Sequence, residues 1–293
     1  MSLSTLNQHK NFLDIPEDIS RYSSAQVAVL PVPYEATTSY GQGTALGPQA
    51  IIEASSQVEW YDDELQGEAC NVGIATLEPV DFRGSSGKVA IAEMERRMAK
   101  IAGDKKFPVA LGGEHSVTYG LVRGVAQTHK DFGVLQLDAH ADLRNEYQND
   151  PFSHASVMRR IRELGTPTVS VGVRSVSKEE MDYIQSESVP VFFDRVIHQE
   201  GLPVEKILKL LPERVYLTID VDGFSPSIVP STGTPEPGGL PWYETLAFLR
   251  RVFKEKDVIA MDVVELSPKE GMIWADFSMA KLIYKLIGYR FLQ

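Results

Sequence analysis

Three short segments of the sequence end an apolar run with acids or imidazoles. The most informative run is Val134–Leu137, which is followed by Asp138, His140 and Asp142 at every second position. In an extended chain alternate side chains share one face, so these groups can converge on a single point. Carboxylates crowded in this way repel one another unless a cation lies between them. The spacing therefore predicts a metal site at the end of a strand.

The other two segments repeat the same logic. The apolar run Val215–Ile219 ends in Asp220 and Asp222, and the run Val109–Leu111 meets paired glycines and then His115. Taken alone, an Asp-x-Asp pair is typical of turns and helix caps, and a lone His is more often structural than a ligand. Their similarity to the first segment favours a shared site. The predicted metal ligands are therefore His115, Asp138, His140, Asp142, Asp220 and Asp222.

The chemistry of these side chains limits which metal they suit. Their ligand atoms are imidazole nitrogens and carboxylate oxygens, which suit Mn²⁺, with Fe²⁺, Co²⁺, Ni²⁺ and Zn²⁺ as open alternatives. The negative charges of the four Asp side chains would balance two divalent ions. Cys70 is the single cysteine, so the sequence offers neither an internal disulfide nor a thiolate cluster. We therefore predict two Mn²⁺ ions per subunit.

The segments that must position these groups alternate between short β-branched runs and stretches of helical period. This alternation predicts an α/β fold, a single-domain three-layer α/β/α architecture with a mostly parallel sheet of about eight strands. Ligands bind beyond the carboxyl ends of the strands in such sheets, and the predicted metal ligands follow their runs in that position. The predicted strands are Val27–Leu30, Val72–Thr76, Pro108–Leu111, Gly133–Leu137, Thr168–Val173, Pro190–Phe193, Val215–Ile219 and Val258–Val264.

Apolar residues at helical spacing mark the faces that cover this sheet. A further helix-like stretch follows His115 and extends to about His129. No linker, repeat or low-complexity tract divides the chain, so residues 1–293 are predicted to form a single domain. Residues 1–24 are expected to pack as an extension on its surface or on a neighbouring subunit. The predicted buried faces are Ile91, Met94, Met98 and Ile101; Val204, Ile207, Leu208 and Leu211; Leu246, Leu249 and Phe253; and Met279, Leu282, Ile283 and Leu286.

Composition narrows the class of protein. The chain has 293 residues, of which 43% are hydrophobic and 24% are charged, as is typical of globular proteins. A net charge of −11 opposes binding to nucleic acid or to an anionic membrane. No apolar run approaches the ~18 residues of a spanning helix, and the first residues lack the apolar stretch of a secretory signal. We therefore expect a cytoplasmic protein with no nucleic-acid or membrane partner.

Together, the three segments resemble those of the arginase/agmatinase ureohydrolases, and most of all agmatinases. The resemblance extends from Tyr34 and the loop 41–48 to the segment 265–268, and the three metal motifs occur in the order typical of that family. It implies a role for each ligand. His115 and Asp142 would bind one ion, His140 and Asp222 the other, and Asp138 and Asp220 would bridge the two.

The resemblance also implies roles for residues outside the metal motifs. His154 corresponds to the active-site His that does not bind metal, and it would carry protons to or from solvent. Glu265 corresponds to the carboxylate that holds the guanidinium group of the substrate, and Asp142 would act as a proton relay. Glu114 stands where the usual acid of the family is Asp. We expect this difference to alter the surroundings of His115 and, with them, the affinity or preference for metal.

The reaction that the resemblance implies is hydrolysis of a guanidino group by water activated between the two ions. The loop after the middle motif resembles agmatinase-type loops, so we expect agmatine to yield putrescine and urea. Glu146, Tyr147 and Asp150 are the candidate contacts to the cationic tail of this substrate. N1-aminopropylagmatine, guanidinobutyrate, guanidinopropionate and arginine stay open as substrates. A dinuclear metal phosphoesterase or a catalytically silent metal-binding protein is a more remote alternative, and the family implies a homo-oligomer, a trimer or hexamer.

Overall fold

A computed structural model describes residues 3–292 of the chain. Within that range a central sheet has eight strands in the order β2-β1-β3-β8-β7-β4-β5-β6. Every neighbouring pair in this sheet is parallel. The predicted α/β class and the eight-stranded sheet are thus confirmed. The strands are β1 (Val27–Val32), β2 (Ile74–Thr76), β3 (Phe107–Gly112), β4 (Phe132–Leu137), β5 (Thr168–Val173), β6 (Val191–Phe193), β7 (Arg214–Asp220) and β8 (Asp257–Val264).

Helices cover both faces of this sheet and bury two separate apolar clusters against it. Helices α2 and α7 to α10 contribute to one cluster, and α3 to α6 contribute to the other. Each helix within the described residues is too short or too polar to cross a lipid bilayer. The helices are α1 (Glu17–Ser20), α2 (Gly47–Ser55), α3 (Gly87–Gly103), α4 (Val117–Val125), α5 (Val157–Glu163), α6 (Lys178–Ser186), α7 (Asp194–Glu200), α8 (Val204–Leu210), α9 (Trp242–Glu255) and α10 (Ile273–Phe291).

The predicted helix faces lie against the sheet, with small differences at their ends. The apolar residues predicted for α3, α9 and α10 are all buried, whereas Val204 at the start of α8 is half-buried. The helix after His115 ends at Val125, and residues 126–128 continue as turns. The predicted strand Val72–Thr76 begins only at Ile74, because the preceding residues form a 3₁₀ turn.

The N-terminal segment packs on its own chain. Phe12 and Leu13 are buried in the core, and their backbone N–H groups donate to Thr76 Oγ1 at 2.8 Å and to Ser55 Oγ at 2.7 Å. Thr5 also forms an isolated antiparallel bridge with Leu77. This segment therefore covers the edge of the sheet at β2 and the C-terminal end of α2.

The register of the central strands brings the predicted site residues to one level. Leu137 of β4 pairs with Ile219 of β7, and Asp220 of β7 pairs with Val264 of β8. The residues that follow these strands therefore emerge side by side. Because parallel strands place their carboxyl ends at the same edge, groups distant in sequence meet there.

Candidate active site

A cavity of about 260 Å³ opens at the carboxyl ends of β3, β8, β7 and β4, which are neighbours in the sheet. Both the predicted metal ligands and the other predicted catalytic residues lie at this edge. All of them except the fully buried Asp138 line the cavity. The residues that follow or end the strands are His115 after β3, Asp138, His140 and Asp142 after β4, Asp220 and Asp222 at the end of β7, and Glu265 after β8.

His115 is surrounded by acids on its Nδ1 side. Nδ1 lies 3.0 Å from Asp138 Oδ2, 3.0 Å from Asp142 Oδ2 and 3.3 Å from Asp220 Oδ2. Nδ1 is buried, and none of the described residues offers it a partner with hydrogen-bond geometry. Two ligand atoms that are each ~2.1 Å from one ion at a right angle lie ~3.0 Å apart. The spacing around Nδ1 is therefore that of ligands to a shared cation.

A second imidazole lies beside the first group. His140 Nδ1 is 3.0 Å from Asp222 Oδ2 and 3.6 Å from Asp138 Oδ1. Among the described residues, the atoms that can bind a metal form one group from His115, Asp138 and Asp220 and another from Asp138, His140 and Asp222. Asp138 belongs to both groups. The donor set thus fits two divalent ions with Asp138 between them.

The carboxylates of this cluster are held by backbone and side-chain donors. Asp138 Oδ1 accepts from the backbone N–H of His140 at 2.6 Å, and its Oδ2 accepts from Gln136 Nε2 at 2.7 Å. Asp222 Oδ1 accepts from the backbone N–H of Ala139 at 3.0 Å, so its Oδ2 is the oxygen that faces His140. The orientation of these acids is therefore fixed by the strand ends themselves.

The charges of the cluster favour a bound cation. Burial alone would lower the pKa of His115, but the nearby carboxylates of Asp138, Asp142 and Asp220 raise it well above its ordinary value. Burial and the charges of Asp222 and Asp138 raise the pKa of Asp220 well above its ordinary value. A raised pKa means that a buried carboxylate is costly to ionise unless a proton or another positive charge lies beside it. A divalent ion supplies more of that charge than a proton does.

A buried network behind His115 fixes which of its nitrogens carries the proton. Thr218 Oγ1 donates to Asp262 Oδ1 at 2.6 Å, so it can only accept from His115 Nε2, which lies 3.0 Å away. Thr118 Oγ1 also donates to Asp262, at 2.9 Å. When Nε2 carries the proton, Nδ1 has a free lone pair, and this nitrogen faces the carboxylates. Such outer partners orient imidazole ligands in metal sites.

Asp142 and Glu265 have left-handed backbone conformations, with φ of +53° and +66°. Residues other than Gly adopt this region at a cost, and such conformations cluster at functional sites. The carbonyl of Asp142 accepts from the backbone N–H groups of Met158 and Arg159, the first turn of α5. The N–H of Glu265 donates to Gly113 O at 2.8 Å. These contacts hold both side chains toward the cavity.

The turn between β3 and α4 requires its second glycine. A Cβ atom on Gly113 would lie 2.0 Å from the carbonyl oxygen of Tyr34. That same oxygen accepts from the backbone N–H of Glu114 at 2.9 Å. The close approach of the two chains therefore places His115 at the strand-to-helix turn, where the sequence predicted it.

Glu265 presents one free oxygen to the cavity. Its Oε1 accepts from the backbone N–H of His115 at 2.6 Å. No protein donor within residues 3–292 forms a hydrogen bond with Oε2. Burial and the neighbouring Glu114 raise the pKa of Glu265 well above its ordinary value. A planar cation with N–H groups would restore the charge of this carboxylate.

Glu114 holds the wall of the cavity that carries Thr37. Its carboxylate accepts from the N–H groups of Ala36 and Thr37 at 2.7 and 2.6 Å, and from the hydroxyls of Thr37 and Ser116. The ring of His115 is instead held by Thr218. Glu114 therefore orders the loop beside His154 and makes no contact with the ring of His115 among these hydrogen bonds.

His154 receives its orientation from the same loop. Thr37 Oγ1 donates to Glu114 Oε1 at 2.8 Å, so it accepts from the backbone N–H of His154 at 3.0 Å and from His154 Nδ1 at 3.1 Å. Burial lowers the pKa of His154, which keeps its ring neutral near pH 7. The Nδ1–H form leaves Nε2 as the nitrogen that can take a proton.

The comparisons with known proteins agree with this geometry. The sequence profile of the arginase family matches residues 25–288. This chain belongs to the arginase family. It is 44% identical over 287 residues to an N(1)-aminopropylagmatine ureohydrolase of Synechocystis sp., covering 96% of this chain and 94% of that protein. It is 40% identical over 272 residues to an N(1)-aminopropylagmatine ureohydrolase of Thermus thermophilus, covering 93% and 92%.

A solved structure of the same family shares the fold. The crystal structure of agmatine ureohydrolase of Thermoplasma volcanium matches with a TM-score of 0.84 and 30% identity, covering 96% of this chain and 94% of that chain. The resemblance to arginase/agmatinase ureohydrolases seen in the sequence is thus confirmed.

Of the three residues predicted to contact the tail of the substrate, one lies at the cavity. Tyr147 lines it, and its ring packs edge-on against His154 with centroids 5.7 Å apart. Glu146 and Asp150 are not among the described residues that line the cavity. Glu236 lines it instead. Sequence reasoning missed Glu236, although it lies in the Pro- and Gly-rich loop after Asp220 and Asp222.

Proposed function

We propose that this chain hydrolyses N1-aminopropylagmatine, using two Mn²⁺ ions, to urea and spermidine. The geometry that carries the chemistry is Glu265, with a free carboxylate oxygen in the cavity whose other wall is the predicted metal-ligand cluster. Similarity to relatives that act on this compound carries the choice of substrate. The prediction of agmatine as the main substrate is therefore the weaker of the two.

Glu265 has the chemistry to bind and orient the guanidinium. The free Oε2 and the remaining lone pair of Oε1 can accept charge-assisted hydrogen bonds from guanidinium N–H groups. The raised pKa of Glu265 falls again when a cation binds, so substrate binding and ionisation of this residue reinforce each other. This would set the guanidinium carbon against the cluster of His115, Asp138 and Asp220.

The proposed metal ligands are the six side chains that the strand ends bring together. When bound, two divalent ions supply a nucleophilic water at neutral pH and stabilise developing negative charge. Manganese is our choice because the ligand atoms are imidazole nitrogens and carboxylate oxygens. The ligands are His115, Asp138, His140, Asp142, Asp220 and Asp222.

His154 and Asp142 are placed to move protons. Attack on the guanidinium carbon gives a tetrahedral intermediate, and the C–N bond breaks when the leaving amine nitrogen takes a proton. The neutral ring of His154 can pass protons at Nε2, since its Nδ1–H is engaged by Thr37. Asp142 lies 3.0 Å from His115 Nδ1 in the proposed ligand cluster, so its carboxylate would be beside the nucleophilic water and could relay a proton.

Agmatine is the second candidate substrate. The solved structure of an agmatine ureohydrolase supports it, as does the agmatinase-like loop after the middle motif. A phosphoesterase receives no such support. A phosphate site would need Lys or Arg side chains near the metal ions. Among the described residues, the one such side chain that lines the cavity is Arg144, and it stacks on Tyr147 with its guanidinium carbon 5.2 Å from the ring centroid.

Urea release from a substrate panel tests the proposal. Mn²⁺-loaded protein is assayed with N1-aminopropylagmatine, agmatine, 4-guanidinobutyrate, 3-guanidinopropionate and arginine. We expect the highest kcat/KM with N1-aminopropylagmatine. A higher kcat/KM with agmatine would return the main assignment to agmatine. Binding without turnover of any compound would favour the silent metal-binding protein, and hydrolysis of a phosphate ester without urea would favour the phosphoesterase.

Assembly into a trimer or hexamer is also part of this proposal. Ile273, Trp274 and Phe277 at the start of α10 are 76%, 45% and 40% exposed, an apolar surface that a second copy would bury. Light scattering coupled to size-exclusion chromatography measures the number of subunits. A monomer at micromolar concentration would contradict it.

A further inference from the structure

We propose that Glu236 recognises the cationic tail of the substrate and so determines its charge preference. This inference rests on the proposed function, because it assigns the residue that binds the part of the substrate beyond the guanidinium. Of the acids that line the cavity within residues 3–292, Asp142, Asp220 and Asp222 belong to the ligand cluster and Glu265 faces the guanidinium. Glu236 is the remaining acid that lines the cavity, and neither of these roles accounts for it.

Glu236 is close to the metal-ligand cluster but is not a member of it. Its Oε1 lies 3.8 Å from His140 Nε2, beyond hydrogen-bond distance, while His140 Nδ1 faces Asp222 on the other side of the ring. The side chain of Glu236 is 35% exposed, so its carboxylate is open to the cavity. A cationic nitrogen of the tail can therefore reach it without displacing a ligand of the metal cluster.

Arg174 holds the loop that carries Glu236. Its Nη2 donates to the carbonyl of Glu236 at 3.1 Å and to that of Asp222 at 2.6 Å, and its Nε donates to Pro237 O at 3.1 Å. One guanidinium therefore ties the Glu236 loop to the turn that carries a predicted metal ligand. This fixes the distance between the reacting end of the site and its acidic rim, as selection by tail length and charge requires.

Apart from the ring of His140 at 3.8 Å, the carboxylate of Glu236 has no cationic neighbour among residues 3–292. Within the described residues no Lys or Arg lies within ion-pair distance of it, and the guanidinium of Arg174 is directed at backbone carbonyls. Arg144 also lines the cavity, but it lies 3.9 Å from Glu180 and stacks on Tyr147. An ammonium group in the tail would thus supply the missing partner of Glu236. An anionic tail would be repelled.

A charge series of substrates tests this assignment. Wild type, Glu236→Gln and the exposed control Glu187→Gln are compared with N1-aminopropylagmatine, agmatine, uncharged butylguanidine and anionic 4-guanidinobutyrate. We expect Glu236→Gln to lower kcat/KM for both cationic-tail substrates by about 10- to 100-fold, the range for losing a hydrogen bond to a charged group. Butylguanidine should change less than about twofold by the same reasoning, and 4-guanidinobutyrate should improve. The control should match wild type throughout.

Two further measurements separate this role from its rivals. Mn²⁺ affinity, measured by calorimetry, should be the same in Glu236→Gln as in wild type, and a large loss would instead make Glu236 an orienting partner of His140. A charge-selective loss in Glu146→Gln, with Glu236→Gln unaffected, would overturn the assignment. If no guanidino compound is turned over, the proposed function fails. In that case calorimetry still tests the role of Glu236. It compares the affinities of wild type and Glu236→Gln for agmatine, which has a cationic tail, and for butylguanidine, which has an uncharged one.

Discussion

The hydroxyl of Thr37 lies 3.1 Å from Nδ1 of His154, and the same hydroxyl donates its proton to Glu114. Because that proton is already committed, the imidazole must be the donor to Thr37. Glu114 is thus linked to the predicted proton carrier, although the two residues are 40 positions apart in the sequence. Glu114 reaches His154 through one threonine side chain.

Thr37→Val should therefore lower kcat more than it raises KM. Valine matches the shape of threonine but leaves Nδ1 of His154 without an acceptor, at a cost of ~1–3 kcal/mol, or about 5- to 150-fold in kcat. Thr37→Ser keeps the hydroxyl and should stay within about threefold of wild type on the same scale. Steady-state urea release measures both. A fall of kcat in Thr37→Ser with none in Thr37→Val would mean that the methyl group, and not the hydroxyl, matters.

Much of the site could be predicted from sequence because each predicted ligand lies at the end of an apolar strand or within five residues beyond it. The period of the strand and the parallel order of the sheet then fix where Asp138, His140 and Asp220 meet. Glu236 and Thr37 could not be found in this way. They lie in irregular loops, whose position depends on distant partners such as Arg174 and Glu114, and no local periodicity encodes those contacts.

Removal of divalent ions should lower the stability of the folded chain. The buried cluster around Asp138 then has no cation except protons to balance its carboxylates. An ion present at 100 times its dissociation constant stabilises the native state by ~2.7 kcal/mol per site. For a chain of this size that corresponds to a rise in Tm of about 5 °C or more. Thermal unfolding of chelator-treated protein with and without Mn²⁺ measures the shift.

The matched variants for this test are Asp138→Asn and Asp182→Asn. Asp182 is exposed on α6 and pairs with Lys178. The Asp182→Asn variant should keep the full Mn²⁺-dependent rise in Tm, whereas Asp138→Asn should lose most of it. A rise of equal size in both variants would show that the ions bind elsewhere.

Glu265→Gln should separate substrate binding from metal binding. Glutamine can still accept the N–H of His115, so the turn before α4 is expected to persist. The loss of the negative charge should weaken binding of the guanidinium by ~2–5 kcal/mol, which appears in KM and kcat/KM. Metal content measured by elemental analysis should equal that of wild type. Unchanged kinetics would remove Glu265 from the role given to it.

The N-terminal half of the sequence also shows where prediction from pattern stops. The strands and the helix faces follow from hydrophobic period, whereas the packing of Phe12 and Leu13 in the core does not. These residues are fixed by contacts with Thr76 and Ser55, both distant in sequence. Lys285 is a similar case. It lies on the buried face of α10, and its charge is balanced by Asp62 and Glu64 of the hairpin formed by residues 61–68.

Lys285→Met should destabilise the protein at neutral pH by ~3–5 kcal/mol, because it leaves the buried carboxylate of Asp62 without its cation. Lys285 Nζ lies 2.9 Å from both oxygens of Asp62 and 2.6 Å from Glu64 Oε2. The double variant Asp62→Asn/Lys285→Met should recover part of that loss. Urea unfolding at pH 7 is measured for wild type, Asp62→Asn, Lys285→Met and the double variant, and additive losses would show that the pair does not interact.

The same group predicts how acid affects stability. Burial raises the pKa of Asp62, but Lys285 and backbone donors outweigh it and hold this pKa below its ordinary value. The stabilisation by Asp62 is therefore complete above its unfolded pKa of about 3.9 and is lost as the pH falls through the lower folded value. Wild type should lose more unfolding free energy than Lys285→Met between pH 5 and pH 3, because the variant has less of this stabilisation to lose. Parallel acid dependences in the two proteins would contradict the lowered pKa.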